Sequence, residues 1–225
     1  MSVSARGFVE RRTRLRPVPG AEWIKLRLVD DAVELWHATH EATGDPDEPI
    51  PFWGVAWGGG LAIARYLRDH PDAVAGRRVL DVACGSGLCA IAAAQAGAAS
   101  VTASDVDRFA VAATGLNAKA NRVRIDTVHA DLLEADPPDD VDVVLAGDCW
   151  YEEPFASRAT DWLRRCWEAG LDVLIGDPGR RHLDHAGLIE LGAYDVRSSA
   201  EIEDLGRTRA WVHTFAGARP GRSAG

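Results

Sequence analysis

A chain of 225 residues, 47% of them apolar, can bury a full core as one domain, and it contains no run of about 18 apolar residues that would cross a membrane. The formal net charge of −9 opposes binding to a phosphate backbone and favours a cationic ligand, so neither nucleic acid nor membrane is expected as a partner. The four cysteines lack C-x-x-C spacing, and the pairs His37/His40 and His182/His185 lack an H-E-x-x-H motif, which argues against a metal site or a disulfide framework and for a cytoplasmic protein.

Residues 1–20 carry five arginines against one glutamate and end at Pro17-Val18-Pro19-Gly20. No hydrophobic stretch follows, so this is not a secretory signal. An Arg-rich start also fits a mitochondrial address, but the expectation is a flexible, solvated arm. Trp23 to Leu28 alternates apolar and polar residues, which predicts a strand. Asp31 to Thr43 places Val33, Leu35, Trp36 and His40 at helical offsets. Residues 44–51 form an acidic, proline-rich loop that delivers Phe52 to Gly60. A short helix over Leu61–Arg68 stops before Pro71.

From Gly76 the pattern becomes regular. Strands are predicted at Val79–Val82, Ser100–Ser104, Ile125–His129, Val141–Ala146 and Leu171–Ile175. Helices are predicted at Leu88–Ala96, Arg108–Ala120, Phe155–Ala169 and Asp184–Leu191, and Tyr194–Ser198 with Arg209–Phe215 reads as a closing hairpin. Such alternation predicts an α/β fold, a Rossmann-like doubly wound and mostly parallel sheet with helices on both faces. Ligands of such folds bind beyond the carboxyl ends of the strands, at the switch point. The division expected is an N-terminal arm and extension over 1–50, the main domain over 51–217 and a flexible tail over 218–225.

Val79 to Gly87 joins a strand, a glycine turn and a helix start, a combination that receives an adenosine-containing ligand. Gly85-x-Gly87-x-x-Ala90 alone also fits a nicotinamide dinucleotide. Asp81 separates the two, because an acid at the strand end suits a ligand with an ammonium group, which S-adenosylmethionine has and NAD lacks. Asp105, at the end of the next strand, suits ribose hydroxyls, and Asp107 reads as a helix N-cap. Asp131-Leu132, after the third strand, suits an adenine amino group and ring, or else caps a turn.

These residues resemble the seven-stranded S-adenosylmethionine-dependent methyltransferases, and more narrowly the lysine methyltransferases of the electron-transfer flavoprotein β subunit. The segments that carry the likeness are Pro51 to Gly59, Val79 to Gly87, Leu145 to Glu153 with its D-x-x-Y pattern at Asp148–Tyr151, and Leu174 to Arg180. The resemblance implies that Asp81, Gly85 and Gly87 hold the methionine part of the cofactor, that Asp105 takes the ribose, that Asp131 and Leu132 take the adenine side, and that Trp57 packs along the cofactor. It implies that Asp148 and Tyr151 face the substrate lysine. Ala83 stands where the family often has glycine, a departure that costs little if its φ is negative.

The implied chemistry is an in-line displacement by a neutral amine with water excluded. Asp148 is expected to receive the lysine ammonium and to orient it, and Tyr151 to line the channel. Trp150 reads either as a channel wall or as packing under the next helix, Trp53 as a lid or as packing, and Trp162 and Trp167 as core. Arg180 reads an acidic feature of the substrate or holds its own loop. The alternatives are another protein or a small amine as substrate and, from a different class, a nicotinamide-dependent oxidoreductase.

Overall fold

The computed structural model describes residues 4–45, 50–196 and 208–217. The chain begins with α1 (Ala5–Arg12), a hairpin of β1 (Arg14–Val18) and β2 (Ala21–Leu28), then α2 (Ala32–Thr43) and α3 (Gly58–Asp69). There follow β3 (Arg78–Val82), α4 (Leu88–Gln95), β4 (Ser100–Asp105), α5 (Arg108–Asn121), β5 (Asp126–His129) and β6 (Val143–Gly147). The last elements are α6 (Phe155–Glu168), β7 (Asp172–Asp177), β8 (Leu188–Val196) and β9 (Thr208–Phe215).

One sheet takes the strand order β5-β4-β3-β6-β7-β9-β8. β3 to β7 run parallel, and β9 lies antiparallel between β7 and β8. The sheet is seven-stranded and mostly parallel with a C-terminal antiparallel hairpin, as expected. The chain leaves β3 towards β4 and β5, then crosses back to β6 and β7. The switch point therefore lies between β3 and β6, and the carboxyl ends there carry Asp81 and, just past β6, Asp148. Val79 to Val82, Val143 to Ala146 and Val173 to Asp177 are all buried, because helices cover both faces of these central strands. The buried side chains of α3 and α4 pack on one face and those of α6 on the other.

Three expectations are corrected. The N-terminal arm is not solvated. α1 buries Phe8 and Val9, and the Phe8 ring lies 5.0 Å from that of Phe109 in α5. Arg6, Arg11 and Arg12 occupy the outer face of a helix whose apolar side holds only these two large residues. Over 184–191 there is no helix. Asp184 closes its own turn by accepting the Ala186 N–H at 2.9 Å, Gly187 has φ 79°, and Leu188 begins a strand paired with Phe215. Leucines at 188 and 191 fit a helical face, but the left-handed glycine breaks a helix and the partner strand β9 settles the choice. Finally, α3 begins at Gly58, three residues before the predicted start. Glycines are poor helix formers, yet these are needed for a close approach described below. The hairpin residues Arg197 and Ser198 and the tail 218–225 lie outside the described residues.

Candidate active site

At the end of β3, Asp81 is buried and its Oδ2 accepts the Ala90 N–H at 3.0 Å, so the acid ties the strand to the first turn of α4. Burial pushes its carboxyl up to about 8, and the nearby Asp105 adds to the rise. Ala83 follows with φ 51°, in the left-handed region, so the negative φ at which alanine would cost little is not what the loop adopts. Gly85 (φ 50°) and Gly87 (φ 78°) also need that region, and a Cβ on Gly87 would press on the Thr114 side chain at 2.7 Å. Glycine is required here for conformation and for space alike.

Two residues of α5 hold the loop from below. Thr114 Oγ1 donates to the Gly85 carbonyl at 3.2 Å and Asn117 Nδ2 to the Ser86 carbonyl at 2.9 Å. From β4, Asp105 Oδ2 accepts the Gly85 N–H and Oδ1 the Asp107 N–H, each at 2.9 Å. Asp107 caps α5 by accepting the Phe109 N–H at 2.6 Å, the N-cap role read from its position.

The other wall is built by residues 52–60. Trp57 donates from Nε1 to the Phe52 carbonyl at 2.8 Å, which fixes a half-buried indole beside the Phe52 ring. Trp53 is buried and packs at 6.3 Å against Phe109, so it is a core residue. α3 then starts against β6 and β7. A Cβ on Gly59 would overlap the Gly176 carbonyl oxygen, and one on Gly147 would meet the Gly60 backbone at 3.1 Å.

That contact presents the first turn of α3 to Asp148. Asp148 has φ 62°, and its Oδ2 accepts the Gly60 N–H at 2.8 Å. Its side chain is only 10% exposed, and Arg180 Nη2 stands 3.5 Å from Oδ1. Burial raises the carboxyl to about 6, with Arg180 the first of the groups that oppose the rise. Tyr151 packs at 4.7 Å from Phe52 and 5.5 Å from Phe155, and burial pushes its hydroxyl further up. Trp150 is buried and donates to Thr160 Oγ1 of α6 at 2.9 Å, so it packs under the next helix. Trp162 and Trp167 are core.

The fold thus gathers Asp81, Asp105 and Asp148 at the switch point, near enough to act on one thiol. The buried Cys149 thiol is pushed up by burial and then by Asp148, Asp81, Asp105 and Asp177 together. Asp131 lies further out. Its Oδ1 accepts the Leu133 N–H at 3.0 Å and its Oδ2 the Arg158 Nη2 at 2.7 Å, so it does cap a turn, and Leu132 beside it is half-buried. Sequence reasoning left Arg180 undecided and missed Gly59, Gly60 and Thr114. Their only signals were a glycine run and a threonine on a helix, neither of which names a partner in space. Among the described residues no cluster of metal-ligating side chains occurs, and no helix is long and apolar enough to cross a membrane.

A family model described as ribosomal protein L11 methyltransferase matches residues 67–147. The electron transfer flavoprotein beta subunit lysine methyltransferase of Danio rerio is 38% identical over 197 residues, which cover 85% of this chain and 75% of the relative. The Homo sapiens protein of the same name is 35% identical, with 85% and 74% covered. Among solved structures, the 16S rRNA N2 G1207 methyltransferase of Thermus thermophilus, in complex with AdoMet and guanosine, aligns with TM-score 0.52 at 17% identity over 73% of this chain and 46% of that one. The magnesium protoporphyrin IX methyltransferase of Synechocystis, with bound SAM, aligns with TM-score 0.50 at 16% identity over 70% and 78%. These two show the fold alone, whereas the identity and coverage of the first two relatives show the family and set the nicotinamide-dependent alternative aside. The chain belongs to the electron transfer flavoprotein beta subunit lysine methyltransferase family.

Proposed function

We propose that the protein transfers methyl groups from S-adenosylmethionine to a lysine ε-amine of a protein substrate, the electron transfer flavoprotein beta subunit. The observation that carries this reading is the placement of Asp148 and its D-x-x-Y partner Tyr151 across the switch point from the Asp81–Gly87 loop. The four cysteines are buried and free, which supports a reducing compartment, and we take it to be the cytoplasm.

The residues present fit the cofactor. The space over Gly85 is open, since a Cβ there would meet only the Trp53 Cα, at 3.9 Å. The oxygens of Asp105 accept one backbone N–H each, which leaves lone pairs for ribose hydroxyls. Asp81 is a buried carboxyl that ionises readily once a cation lies beside it, as the ammonium of the methionine part requires. Trp57 lines the side, and Leu132 with the remaining lone pairs of Asp131 meets the adenine. When bound, S-adenosylmethionine supplies an electrophilic methyl group on a cationic sulfonium.

The protein must present a neutral amine. Only about one free lysine in 10³ is neutral at pH 7, so the cation is captured first. The Asp148 carboxylate, ionised above about pH 6, draws the ε-ammonium by its charge and orients it. The Phe52 and Tyr151 rings shield this position from water, and the Tyr151 hydroxyl stays protonated as a donor.

Intact-mass analysis of the flavoprotein, after incubation with this protein and S-adenosylmethionine, tests the reading. Mass steps of one methyl group are expected. Asp148→Asn should lose about 10²-fold or more in turnover while binding S-adenosylhomocysteine as before. An unmodified flavoprotein, with label transferred to a different protein or a small amine, would sink the substrate assignment.

A further inference from the structure

Asp148 is a carboxylate held in two places. Its Oδ2 is fixed by the Gly60 N–H in the first turn of α3, and its Oδ1 is buried and accepts no hydrogen bond among the described residues. The Arg180 guanidinium faces Oδ1 from 3.5 Å. Arg180 is itself well placed for this. Asp177 Oδ1 accepts the Arg180 N–H at 2.6 Å and the Gly179 N–H at 2.7 Å, which turns the chain back at the end of β7. The guanidinium also lies over the Trp57 ring, 5.7 Å from its centroid.

Among the described residues, the other titratable groups near Asp148 bring no positive charge. Asp177 of β7 opposes its ionisation. Cys89 of α4 and Cys149 of the loop after β6 are kept as neutral thiols by burial. What remains is the partial charge at the start of α3 and the full charge of Arg180.

We infer that Arg180 is a positioning residue that keeps Asp148 ionised, so that the carboxylate attracts and orients the substrate ammonium. The inference rests on the lysine-methyltransferase reading for what the amine is, while the coupling of Arg180 to Asp148 rests on their geometry. A buried carboxyl tends to hold its proton, and a guanidinium at this range opposes that. Without it, Asp148 keeps its proton to higher pH. Neutral, it no longer attracts the ammonium.

Two measurements on the full chain test this. The first is the infrared carboxyl stretch of Asp148, taken as the difference from Asp148→Asn and followed across roughly pH 5 to 9. It needs neither substrate nor turnover. In Arg180→Gln the midpoint should rise by about one pH unit or more, and in Arg180→Lys it should stay near that of the parent. The second is the pH profile of kcat/KM. Its acid limb should move to higher pH in Arg180→Gln by the same amount, with most activity regained at alkaline pH, and Arg180→Lys should restore the limb. Unchanged affinity for S-adenosylhomocysteine would show that both variants fold. An Asp148 midpoint unmoved in Arg180→Gln, or an equal loss of activity at every pH in both variants, overturns the inference. A moved midpoint in a protein that leaves the flavoprotein unmethylated would refute the substrate assignment and leave the role of Arg180 standing.

Discussion

Asp148 Oδ2 accepts the Gly60 N–H at 2.8 Å across 88 residues of chain, so the acid after β6 is tied to the first turn of α3. The bond forms only because the backbones of Gly59 and Gly176 touch. A Cβ on Gly59 would overlap the Gly176 carbonyl and come within 2.8 Å of Asp148 Oδ2, and neither strand nor helix can yield. Gly59→Ala is therefore expected to lose about 1–3 kcal/mol or more, and its Tm to fall by several degrees. At Gly58 a Cβ would meet Pro178 and Val196 at an ordinary 3.4 Å, so Gly58→Ala should be neutral or slightly stabilising. Thermal unfolding of the pair checks this, and equal losses would show that the close approach is not what constrains the turn.

Asp81→Asn should separate stability from binding. In the folded protein burial raises this carboxyl to about 8, far above its value in the unfolded chain. The unfolded state then releases its proton first, so this group makes stability fall as pH rises from about 4 to about 8. Asparagine keeps an acceptor for the Ala90 N–H and has no such dependence. The variant's Tm advantage should therefore grow over that window. Its affinity for S-adenosylhomocysteine should drop by about 10- to 100-fold, the worth of a hydrogen bond to a charged group. In the parent protein at pH 7, binding should release up to about one proton, read by calorimetry in buffers of different ionisation enthalpy.

Asn117 is fully buried and joins two parts of the chain that the sequence shows as unrelated. Its Oδ1 accepts the Arg27 N–H of β2 at 2.8 Å, while its Nδ2 donates to the Ser86 carbonyl of the glycine loop. One turn on, Asn121 accepts the Lys25 N–H at 2.9 Å and donates to the Lys25 carbonyl at 2.6 Å. The two amides serve the edge of β2 as a neighbouring strand would. Asn117→Ala leaves a donor and an acceptor without partners, and a Tm drop of roughly 5–10 °C is expected, with weaker binding of S-adenosylhomocysteine. Hydrogen exchange at the Arg27 amide should quicken in Asn117→Ala and not in Asn117→Asp, which retains the acceptor.

The alternating half of the molecule was legible because β3, β6 and β7 are short apolar runs bounded by turn residues, and the more polar β4 and β5 fall in the same strand–helix alternation. Asp81, Asp105 and Asp107 were legible because strand ends and N-caps are local features. The N-terminal layer was not, since Phe8 and Val9 become an apolar face only when Phe109 is there to receive them. β8 was misread because two leucines satisfy a helical spacing until a partner strand is supplied. Arg180 could be seen but not assigned, since its proximity to Asp148 depends on the turn that Asp177 makes. What escaped was in each case a contact between elements distant in the chain.

Ala83 is where this chain departs from the family pattern within the glycine loop itself. Its φ of 51° places a Cβ-bearing residue in the left-handed region, at a penalty of about 1–2 kcal/mol. Glycine would remove that penalty. Against this stand the extra freedom of glycine in the unfolded chain, about 0.5–1 kcal/mol, and the loss of a methyl packed against the α6-side core. The strain term is the largest, so Ala83→Gly is expected to be stabilising by up to about 1 kcal/mol, a rise in Tm of no more than about 4 °C. The backbone already has the conformation that glycine prefers, so affinity for S-adenosylhomocysteine should be unchanged. A clear fall in Tm would mean that the methyl contact outweighs the strain, and it would explain an alanine at this turn by packing.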